Sequence, residues 1–511
     1  MGKRSTKTHK VPEVRQASLL EVGQSKAPHP VIEGVRFDRG DRARLFVGAV
    51  PLQRYLEAEG LKWVLRLASL MDELDWSAFE ASYKPGGRPP LHPKMVVGLI
   101  MYGMMLKQSS LRQLEALARR DVGAWWVAGG LTPDFTTFTK FIQRHSELLS
   151  DEFFVQTTTR IVKQLKLTRS DLALDGTVVQ AAASTAGALK REAMQKQLAE
   201  AKDGEDTQAV AKFETASAVL AEREAARTVA GKDPESVVVS PLEPEAVNQP
   251  KKNSKDYQLA YKPTLGTHPS GLIVGQSLSA TSENECVPAI LEHHERVFGA
   301  QPERALLDAG FLSIPLLGLF VSMDLDVLIP SGRRTQEKKG RGGRFPTSDF
   351  VWDAEANAPR CPAGTTMAGG LTVQRDRAGR AYRQYAGRQC GTCPLRAQCT
   401  KSKTRNIKRF EGDEMKAAMA EVMRHPSAQR AYRQRAAIVE PSIARLRSGG
   451  LTRFRRRGRK NARLELSLNC VAHNLRLLLW GRGGVFVVLC ITARPGEPWC
   501  VTAVGVALVA R

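Results

Sequence analysis

The sequence predicts an α/β protein: a mixed sheet flanked by helices, with a helical N-terminal domain and a small cysteine-rich insertion. Three observations predict it. Apolar residues repeat at helical spacing between residues 45 and 155. From residue 165 onward, short apolar runs typical of strands alternate with helical segments. Four of the 8 cysteines fall between residues 361 and 399.

Composition points to a nucleic-acid partner. The 511 residues suffice for two or three domains, and 76 Lys and Arg against 52 Asp and Glu give a formal charge of +24. Such an excess favours a polyanion. No run reaches the roughly 18–20 apolar residues that a bilayer span needs, and the N-terminus lacks a secretory signal. We therefore expect no membrane partner, no disulfide framework, and a cytoplasmic protein that is nucleoid-associated when bound to DNA.

The N-terminal helices are predicted from apolar spacing and caps. MVVGLIMYGMML (95–106) indicates a buried helix. SLRQLEALARR follows with Ser109 or Ser110 as its cap, and FTTFTKFIQRHSELL with Asp134 or Thr132. Short helices with tight turns and many arginines suit a helix-turn-helix-like DNA-binding domain. A helical bundle that only supports the rest of the chain fits the pattern equally well.

The rest of the chain divides into segments of different composition and apolar pattern. YQLAYKPTLG, GLIVGQSLSA, ERALLDAGF and LDVLIP are strand-like, whereas VPAILEHHERVF is helical. An Ala-, Glu- and Lys-rich stretch indicates one or two long exposed helices, followed by a linker at 236–255. The predicted domains are a flexible basic arm (1–44), a helical domain (45–155), an α/β domain (165–480) with a helical insertion (185–250) and a basic, cysteine-rich insertion (331–405), and a tail without clear period (481–511).

Two aspartates each follow a short apolar strand. Asp175 directly follows the run LAL, and Asp308 directly follows the run ALL. Phosphodiester chemistry needs carboxylates gathered at one point to hold divalent ions, and strand ends deliver them to a sheet edge. A turn-forming aspartate is the alternative for either residue alone. The matched pair in one domain favours a metal site.

These segments carry a family resemblance. LALDGT, RALLDAGF and YRQRAAIVEPSIARLR resemble the three motifs of bacterial insertion-sequence DDE transposases. LHPKMVVGLIMYG and its sequel are similar to the helical N-terminal domain of that group, and RFRRRGRKNARLELSLNCVAHNLRLLL to its C-terminal signature. The resemblance covers roughly residues 45–480. It implies a ribonuclease-H-like fold, Mg²⁺ or Mn²⁺, double-stranded DNA (transposon ends and target), and a homodimer on DNA.

The implied reaction is hydrolysis at the transposon end, followed by attack of the freed 3′-hydroxyl on target DNA. The resemblance places the third carboxylate at Glu440, after Tyr432 and Arg435 and before Arg447. The spacing from Arg435 to Glu440 departs from the family pattern by one residue. Arg433, Glu440 and Arg447 lie seven apart, which puts them on one helical face.

Two features complicate the third carboxylate. Pro441 disfavours helical geometry at residue 440, so a helix here must kink or restart. Glu465 also lies beside a basic run on a helix and is the alternative third acid. Its other interpretation is a surface glutamate in a salt bridge.

The clustered cysteines supply enough thiolates for a tetrahedral structural zinc site. Related transposases of one subgroup carry a similar cysteine-bearing insertion, and four unrelated reduced thiols are the alternative. The proposed ligands are Cys361, Cys390, Cys393 and Cys399. The isolated cysteines, expected to be buried free thiols, are Cys286, Cys470, Cys490 and Cys500.

Basic residues near the third acid are candidate phosphate contacts, with a solvated charged surface as the alternative. The candidates are Arg435, Arg447, Arg453, Arg455, Arg456, Arg457, Arg459 and Lys460. A loop at 333–344 is a second candidate. No phosphate-cradling GxxxxGK[ST] motif indicates ATP use. A nuclease that cuts without joining and a non-catalytic DNA-binding protein derived from a decayed transposase are the competing functions.

Overall fold

The computed structural model describes residues 34–251, 254, 256–331, 344–376 and 379–480, together with two short strands further on. Most of the arm, and the loop at 333–344 except Arg344, lie outside the described residues. The chain separates into two compact units, with the boundary between Arg144 and His145. Of the helices in the described part, none combines the length and apolar character that crossing a bilayer requires.

The first unit is helical, as predicted. Its helix Pro93–Met105 is buried along nearly its whole length. Ser110 and Gln113 form a capping box at the next helix, and Asp134 Oδ1 accepts a hydrogen bond from the Thr137 amide at 2.7 Å. These contacts select Ser110 and Asp134 as the caps. The elements are β1 (Phe46–Val47), β2 (Val50–Pro51), α1 (Leu52–Ala58), α2 (Lys62–Glu73), α3 (Ser77–Glu80), α4 (Pro93–Met105), α5 (Leu111–Arg120), α6 (Val122–Ala128) and α7 (Phe135–Arg144).

The second unit is built on the predicted mixed sheet. Its strands are β3 (Asp171–Gly176), β4 (Val179–Gln180), β5 (Val247–Pro250), β6 (Tyr257–Thr267), β7 (Ile273–Ser279), β8 (Arg304–Leu306) and β9 (Val327–Leu328). β3 lies at the centre, antiparallel to β6 and parallel to β8. β9 continues the parallel side, and β7 pairs with β6 on the other. β4 and β5 pair with the first half of β6, so part of the segment predicted as a linker is a strand.

The second unit also contains helices that pack on this sheet, belong to the helical insertion or lie in the cysteine-rich insertion. They are α8 (Ser146–Ser150), α9 (Glu152–Gln164), α10 (Arg191–Asp203), α11 (Thr207–Val229), α12 (Val287–Phe298), α13 (Ile314–Ser322), α14 (Arg396–Cys399), α15 (Asp413–Val422), α16 (Pro426–Ser448) and α17 (Arg459–Trp480). α16 packs against β3, and α17 packs against β7, α8 and α9. The apolar side chains of α17 are buried from Leu464 to Leu475.

The helical insertion has an apolar core of its own. α10 and α11 pack together and bury Met194, Phe213 and Leu220 with Val239 of the following segment. The pattern predicted exposed helices, and their outer faces are exposed. The insertion therefore folds as a hairpin that closes over its own apolar side chains.

The cysteine-rich insertion is a small β module. Its strands are β10 (Val351–Asp353), β11 (Ala358–Arg360), β12 (Ala368–Arg375), β13 (Ala381–Ala386) and β14 (Asn406–Phe410). The last three form an antiparallel sheet. Phe350, Met367, Tyr385 and Ile407 form its core, with Cys361 and Cys399 packed against it. In the tail, β15 (Phe486–Thr492) and β16 (Cys500–Val506) pair antiparallel, a pattern that the sequence did not indicate.

Candidate active site

Asp175 and Asp308 lie at the same edge of the central sheet. β3 and β8 run parallel, and Ala173 is in register with Leu306. Each aspartate follows its registered residue by two positions. Because parallel strands advance together, both carboxylates leave the sheet at the same level. The two predicted residues are therefore neighbours.

Local turns hold both carboxylates. Asp175 Oδ1 accepts a hydrogen bond from the Gly176 amide at 2.9 Å. Asp308 Oδ1 accepts one from the Gly310 amide at 2.8 Å and caps a short 3₁₀ turn. The turn-forming role considered for such an aspartate thus exists alongside its position at the sheet edge.

Glu440 is carried to this edge by α16. The helix buries Ile438 and Val439 against Ala173 and Leu306, the residues that precede the two aspartates. Glu440 follows directly and is exposed. The three carboxylates therefore come from two parallel strands and the helix packed on them.

α16 begins at Pro426, where the His425 side chain accepts a hydrogen bond from the Ser427 amide and caps the helix. The helix continues through Pro441 to Ser448 without restarting. Glu440 is thus held in regular helix, on the same element as Arg435.

Arg435 connects α16 to β3. Its guanidinium is buried, with Nε donating to the Leu174 carbonyl at 3.2 Å and Nη2 lying 3.1 Å from Asp175 Oδ1. The sequence predicts Arg435 as a DNA contact, but these contacts make it a structural partner of Asp175. A buried guanidinium committed to a carboxylate has little capacity left for a phosphate.

Burial and the neighbouring charges influence the protonation of Asp175. Burial raises the pKa of Asp175, while Arg435 and the Gly176 amide lower it. The charges of Asp308 and Glu440 raise it further. Neighbouring negative charges make ionisation of a carboxyl group less favourable, and this is expected at a site that binds cations.

Glu283 is a fourth carboxylate at this edge, and the sequence analysis missed it. It begins the 3₁₀ turn before α12. A Cβ atom placed on Gly176 would lie 2.4 Å from Glu283 Cδ, so the glutamate rests directly on that glycine. Burial raises the pKa of Glu283, Lys262 lowers it, and Asp308 and Asp175 raise it. Only the absence of a side chain at Gly176 could have hinted at this approach.

Two other residues of the α16 motif lie close by. Burial raises the pKa of Tyr432, and the charges of Asp308 and Asp175 act in the same direction. Arg447 Nη1 donates to Thr177 Oγ1 at 3.2 Å, in the turn after Asp175. The motif residues therefore surround the sheet edge although their spacing departs from the family pattern.

Glu465, the alternative third acid, has a different role. Its two carboxylate oxygens accept hydrogen bonds from the backbone amides of Arg455 and Arg456, at 2.9 and 2.8 Å. Burial raises its pKa. Glu465 thus shapes the basic segment before α17, and the surface salt bridge considered for it is replaced by this capping role.

The basic segment 453–460 is partly engaged within the second unit. Arg453 donates to the carbonyls of Ala181 and Ala182. Arg459 Nη2 donates to the Leu278 carbonyl at 3.3 Å, and Lys460 Nζ lies 2.8 Å from Glu147 Oε1. Arg456 is half-buried, whereas Arg455 and Arg457 are exposed. These last two are the members best placed for an outside partner.

The four clustered cysteines line one cavity of about 460 Å³ in the β module. They are free thiols and half-buried. Burial raises the pKa of Cys399, Arg405 lowers it, and the other three thiols raise it. Cys286 and Cys470 are buried free thiols, as predicted; the side chains of Cys490 and Cys500 lie outside the described residues.

Side-chain positions alone do not form a complete metal site. Among the residues that the structure describes, no group of three or more His, Cys, Asp or Glu side chains is arranged to hold a metal ion. The chemistry of the donors nevertheless fits: oxygen ligands at the sheet edge suit Mg²⁺ or Mn²⁺, and thiolates suit zinc.

Comparison with known families identifies two segments. Residues 360–479 match the family model described as Transposase DDE domain. Residues 60–144 match the one described as Transposase domain (DUF772). The first segment contains Glu440 and all four clustered cysteines, whereas Asp175 and Asp308 lie outside both. No curated protein matches the chain significantly. These two segments match transposase domains, the first a DDE domain that implies a ribonuclease-H-like fold, and they support the function of a DNA transposase of the insertion-sequence DDE kind.

Proposed function

We propose that Asp175, Asp308 and Glu440 form the catalytic triad and would hold Mg²⁺ or Mn²⁺. The observation that carries the proposal is the parallel register of β3 and β8, which aligns the two aspartates, with α16 packed on the same residues. The influence of the Asp308 and Glu440 charges on Asp175 supports it. Glu283 adds a fourth negative charge at the same edge.

The bound ions would activate the attacking oxygen and stabilise the leaving oxygen of an in-line displacement. The protein's own contribution is positioning. Arg435 fixes the Asp175 carboxylate against β3, and the Gly310 amide fixes that of Asp308. A preorganised carboxylate cluster avoids reorganisation when the ions and the phosphodiester arrive.

Neutral isosteres test the triad. Asp175→Asn, Asp308→Asn and Glu440→Gln should each lower Mg²⁺-dependent strand cleavage by at least about 10³-fold, measured on labelled transposon-end DNA. DNA binding, followed by fluorescence anisotropy, should persist. Asp171→Asn is the matched control, because Asp171 lies at the other end of β3 and pairs with Arg304 at 2.9 Å. Cleavage that survives in a triad variant would exclude that residue.

Duplex DNA is the proposed partner of both units, and a homodimer the proposed assembly. In the first unit, a groove of about 810 Å³ is lined by Arg88, Arg119, Lys140 and Arg144 beside α7. This supports the helix-turn-helix-like interpretation. In the second unit, Arg455 and Arg457 are the exposed members of the basic segment. Light scattering with and without a duplex would test the dimer.

We also propose that Cys361, Cys390, Cys393 and Cys399 bind a structural zinc ion. Their shared cavity and the influence of the other three thiols on the pKa of Cys399 support it. Purified protein should contain about one zinc per chain, since four thiolates complete a tetrahedral set. Cys393→Ser should lower the zinc content, whereas Cys470→Ala should not. Zinc-free protein with unchanged thermal stability would contradict the site.

A further inference from the structure

The loop between β13 and β14, residues 387–405, is the most one-sided charged segment of the β module. We call it the cysteine loop because it contains Cys390, Cys393 and Cys399. It carries no Asp or Glu. Its cations are Arg388, Arg396, Lys401, Lys403 and Arg405. From 366 to 410 there are eleven Lys and Arg and one acid, Asp376, which pairs with Arg380 at 2.6 Å.

The cysteine loop has a fixed conformation. The Gly387 amide donates to the Arg405 carbonyl at 2.9 Å, which closes the loop at its base. The Arg405 guanidinium lies 5.3 Å from the Phe350 ring centroid and donates to the Phe345 carbonyl at 3.2 Å. The Phe345 amide in turn donates to the Gln398 carbonyl at 2.8 Å. Arg405 therefore serves the fold, and the other four cations are presented on a defined surface.

These four cations are exposed and, among the described residues, are not paired with carboxylates. Arg388, Arg396, Lys401 and Lys403 form no ion pair with any carboxylate in the described part of the chain. The helical hairpin of the same unit is the opposite case. Residues 191–230 hold six Lys and Arg but eight Asp and Glu, and pairs such as Lys202 with Glu214 form at 3.2 Å. Uncompensated like charges on one loop are tolerated best when a polyanion neutralises them.

The aromatic rings of the module indicate which form of nucleic acid is bound. Single strands are usually held by bases stacked on open ring faces. Here Arg405 lies over Phe350, and Lys408 Nζ lies 4.1 Å from the Tyr382 ring centroid. Arg409 lies 3.3 Å from the Trp352 ring centroid. Because cations already cover these rings, contact through phosphates is favoured over base stacking.

We propose that the cysteine loop binds the phosphate backbone of duplex DNA through Arg388, Arg396, Lys401 and Lys403, without regard to base sequence. The inference rests on the transposase function only for the identity of the polyanion. It assigns to the module a DNA-holding role that is separate from the carboxylates at the sheet edge.

The test replaces the four cations by glutamine in the full-length chain. Binding of a fluorescein-labelled duplex of arbitrary sequence is followed by anisotropy from 50 to 300 mM salt. Affinity should fall about tenfold or more at low salt. The slope of log K against log salt should decrease by about 0.9 for each phosphate that the variant no longer neutralises. The matched control changes the same charge on the helical hairpin and its flanks: Lys190, Lys196, Lys202 and Lys232 to glutamine, all exposed.

The outcomes separate this proposal from the triad. The quadruple variant should still cleave at saturating DNA, whereas Asp175→Asn should bind but not cleave. Equal affinity losses in the loop variant and the hairpin control would overturn the proposal. The proposal would also be overturned if the loop variant lost affinity only for a single strand of the same length and bound the duplex as before. If the quadruple variant melts at a lower temperature than the original protein, the double variant Lys401→Gln, Lys403→Gln decides. Its slope of log K against log salt should change by about half as much as that expected for the quadruple variant.

Discussion

The protein holds like charges in two regions that are built in opposite ways. One is the sheet edge with Asp175, Asp308, Glu440 and Glu283, which we call the carboxylate edge, and the other is the cysteine loop. At the edge, Asp175, Asp308 and Glu283 lie on or against a buried sheet, and Arg435 is the cation committed to them. In the loop, cations stand in solvent without acids. The first arrangement raises the pKa values of Asp175 and Glu283 through burial, whereas the second leaves four of its five cations exposed to solvent.

The difference explains how each region is built. Buried carboxylates are costly unless cations arrive, so they must be fixed by backbone hydrogen bonds and by a rigid sheet. Exposed cations cost little and need only a stable platform, which a loop tied to a small core provides. Chemistry is therefore expected at the edge and DNA binding at the loop, and substitutions in each region should separate the two.

The largest effect is expected from Arg435→Gln. The substitution leaves the Asp175 carboxylate without its cation and removes the anchor of α16 to the Leu174 carbonyl. Breaking a buried pair costs about 3–5 kcal/mol, so the free energy of unfolding should fall by about 3 kcal/mol and cleavage should be abolished. Duplex binding by the cysteine loop should change little.

Two further variants serve as controls, one for the loss of a charge and one for the shape of the side chain. Arg433→Gln removes a cation from an exposed position on the same helix and should leave stability within about 0.5 kcal/mol. Arg435→Lys keeps the charge but not the forked donor and should recover only part of the activity. Equal stability of the Arg433 and Arg435 variants would refute the anchoring role.

The sequence predicted the strands, the helices and the two aspartates because local apolar runs and turn residues specify them. It could not predict the partner of Arg435, which depends on a contact 260 residues distant along the chain. Glu283 was missed for the same reason: its motif ENEC carries no strand or spacing signal, and its approach to Gly176 is a property of packing. Pro441 was overestimated as a helix breaker, because the packing of α16 on the sheet outweighs one missing hydrogen bond.

A glycine-to-alanine substitution can be made in each region, at Gly176 of the edge and at Gly387 of the cysteine loop. A Cβ on Gly176 would lie 2.4 Å from Glu283 Cδ, and a Cβ on Gly387 would lie 2.4 Å from Cys390 Sγ. Each of these two side chains must shift to admit the added methyl group. Gly176→Ala should lower cleavage about 10- to 100-fold while duplex binding persists. Gly387→Ala should weaken duplex binding and lower zinc content, with cleavage retained at saturating DNA.

Gly187→Ala is the common control, since a Cβ there meets no atom within 4 Å. Cleavage and duplex binding should both stay at their original levels in this variant. If Gly176→Ala and Gly387→Ala impaired the same function, the division between the edge and the loop would be wrong.

The smallest effect is expected from Glu283→Gln. Burial and the charges of Asp308 and Asp175 raise the pKa of Glu283. The folded protein therefore releases this proton at a higher pH than the unfolded chain does. Stability is lost as pH rises between the two pKa values. The neutral variant avoids this loss. Without divalent ions at pH 7.5 it should melt about 1–2 °C higher than the original protein, a modest gain because the carboxylate is only half-buried and solvent screens it.

The gain should shrink as pH falls toward the ordinary pKa of a glutamic acid, about 4.3, because Glu283 is then protonated in both states. Melting curves at pH 7.5 and 4.5 measure this difference. Added Mg²⁺ should raise the melting temperature of the original protein more than that of the variant, since the extra negative charge favours the cation. Glu303→Gln, an exposed position just before β8, should show neither effect. A variant that melts lower at pH 7.5 would mean that Lys262 outweighs the burial of Glu283 and that the edge gains stability from this charge.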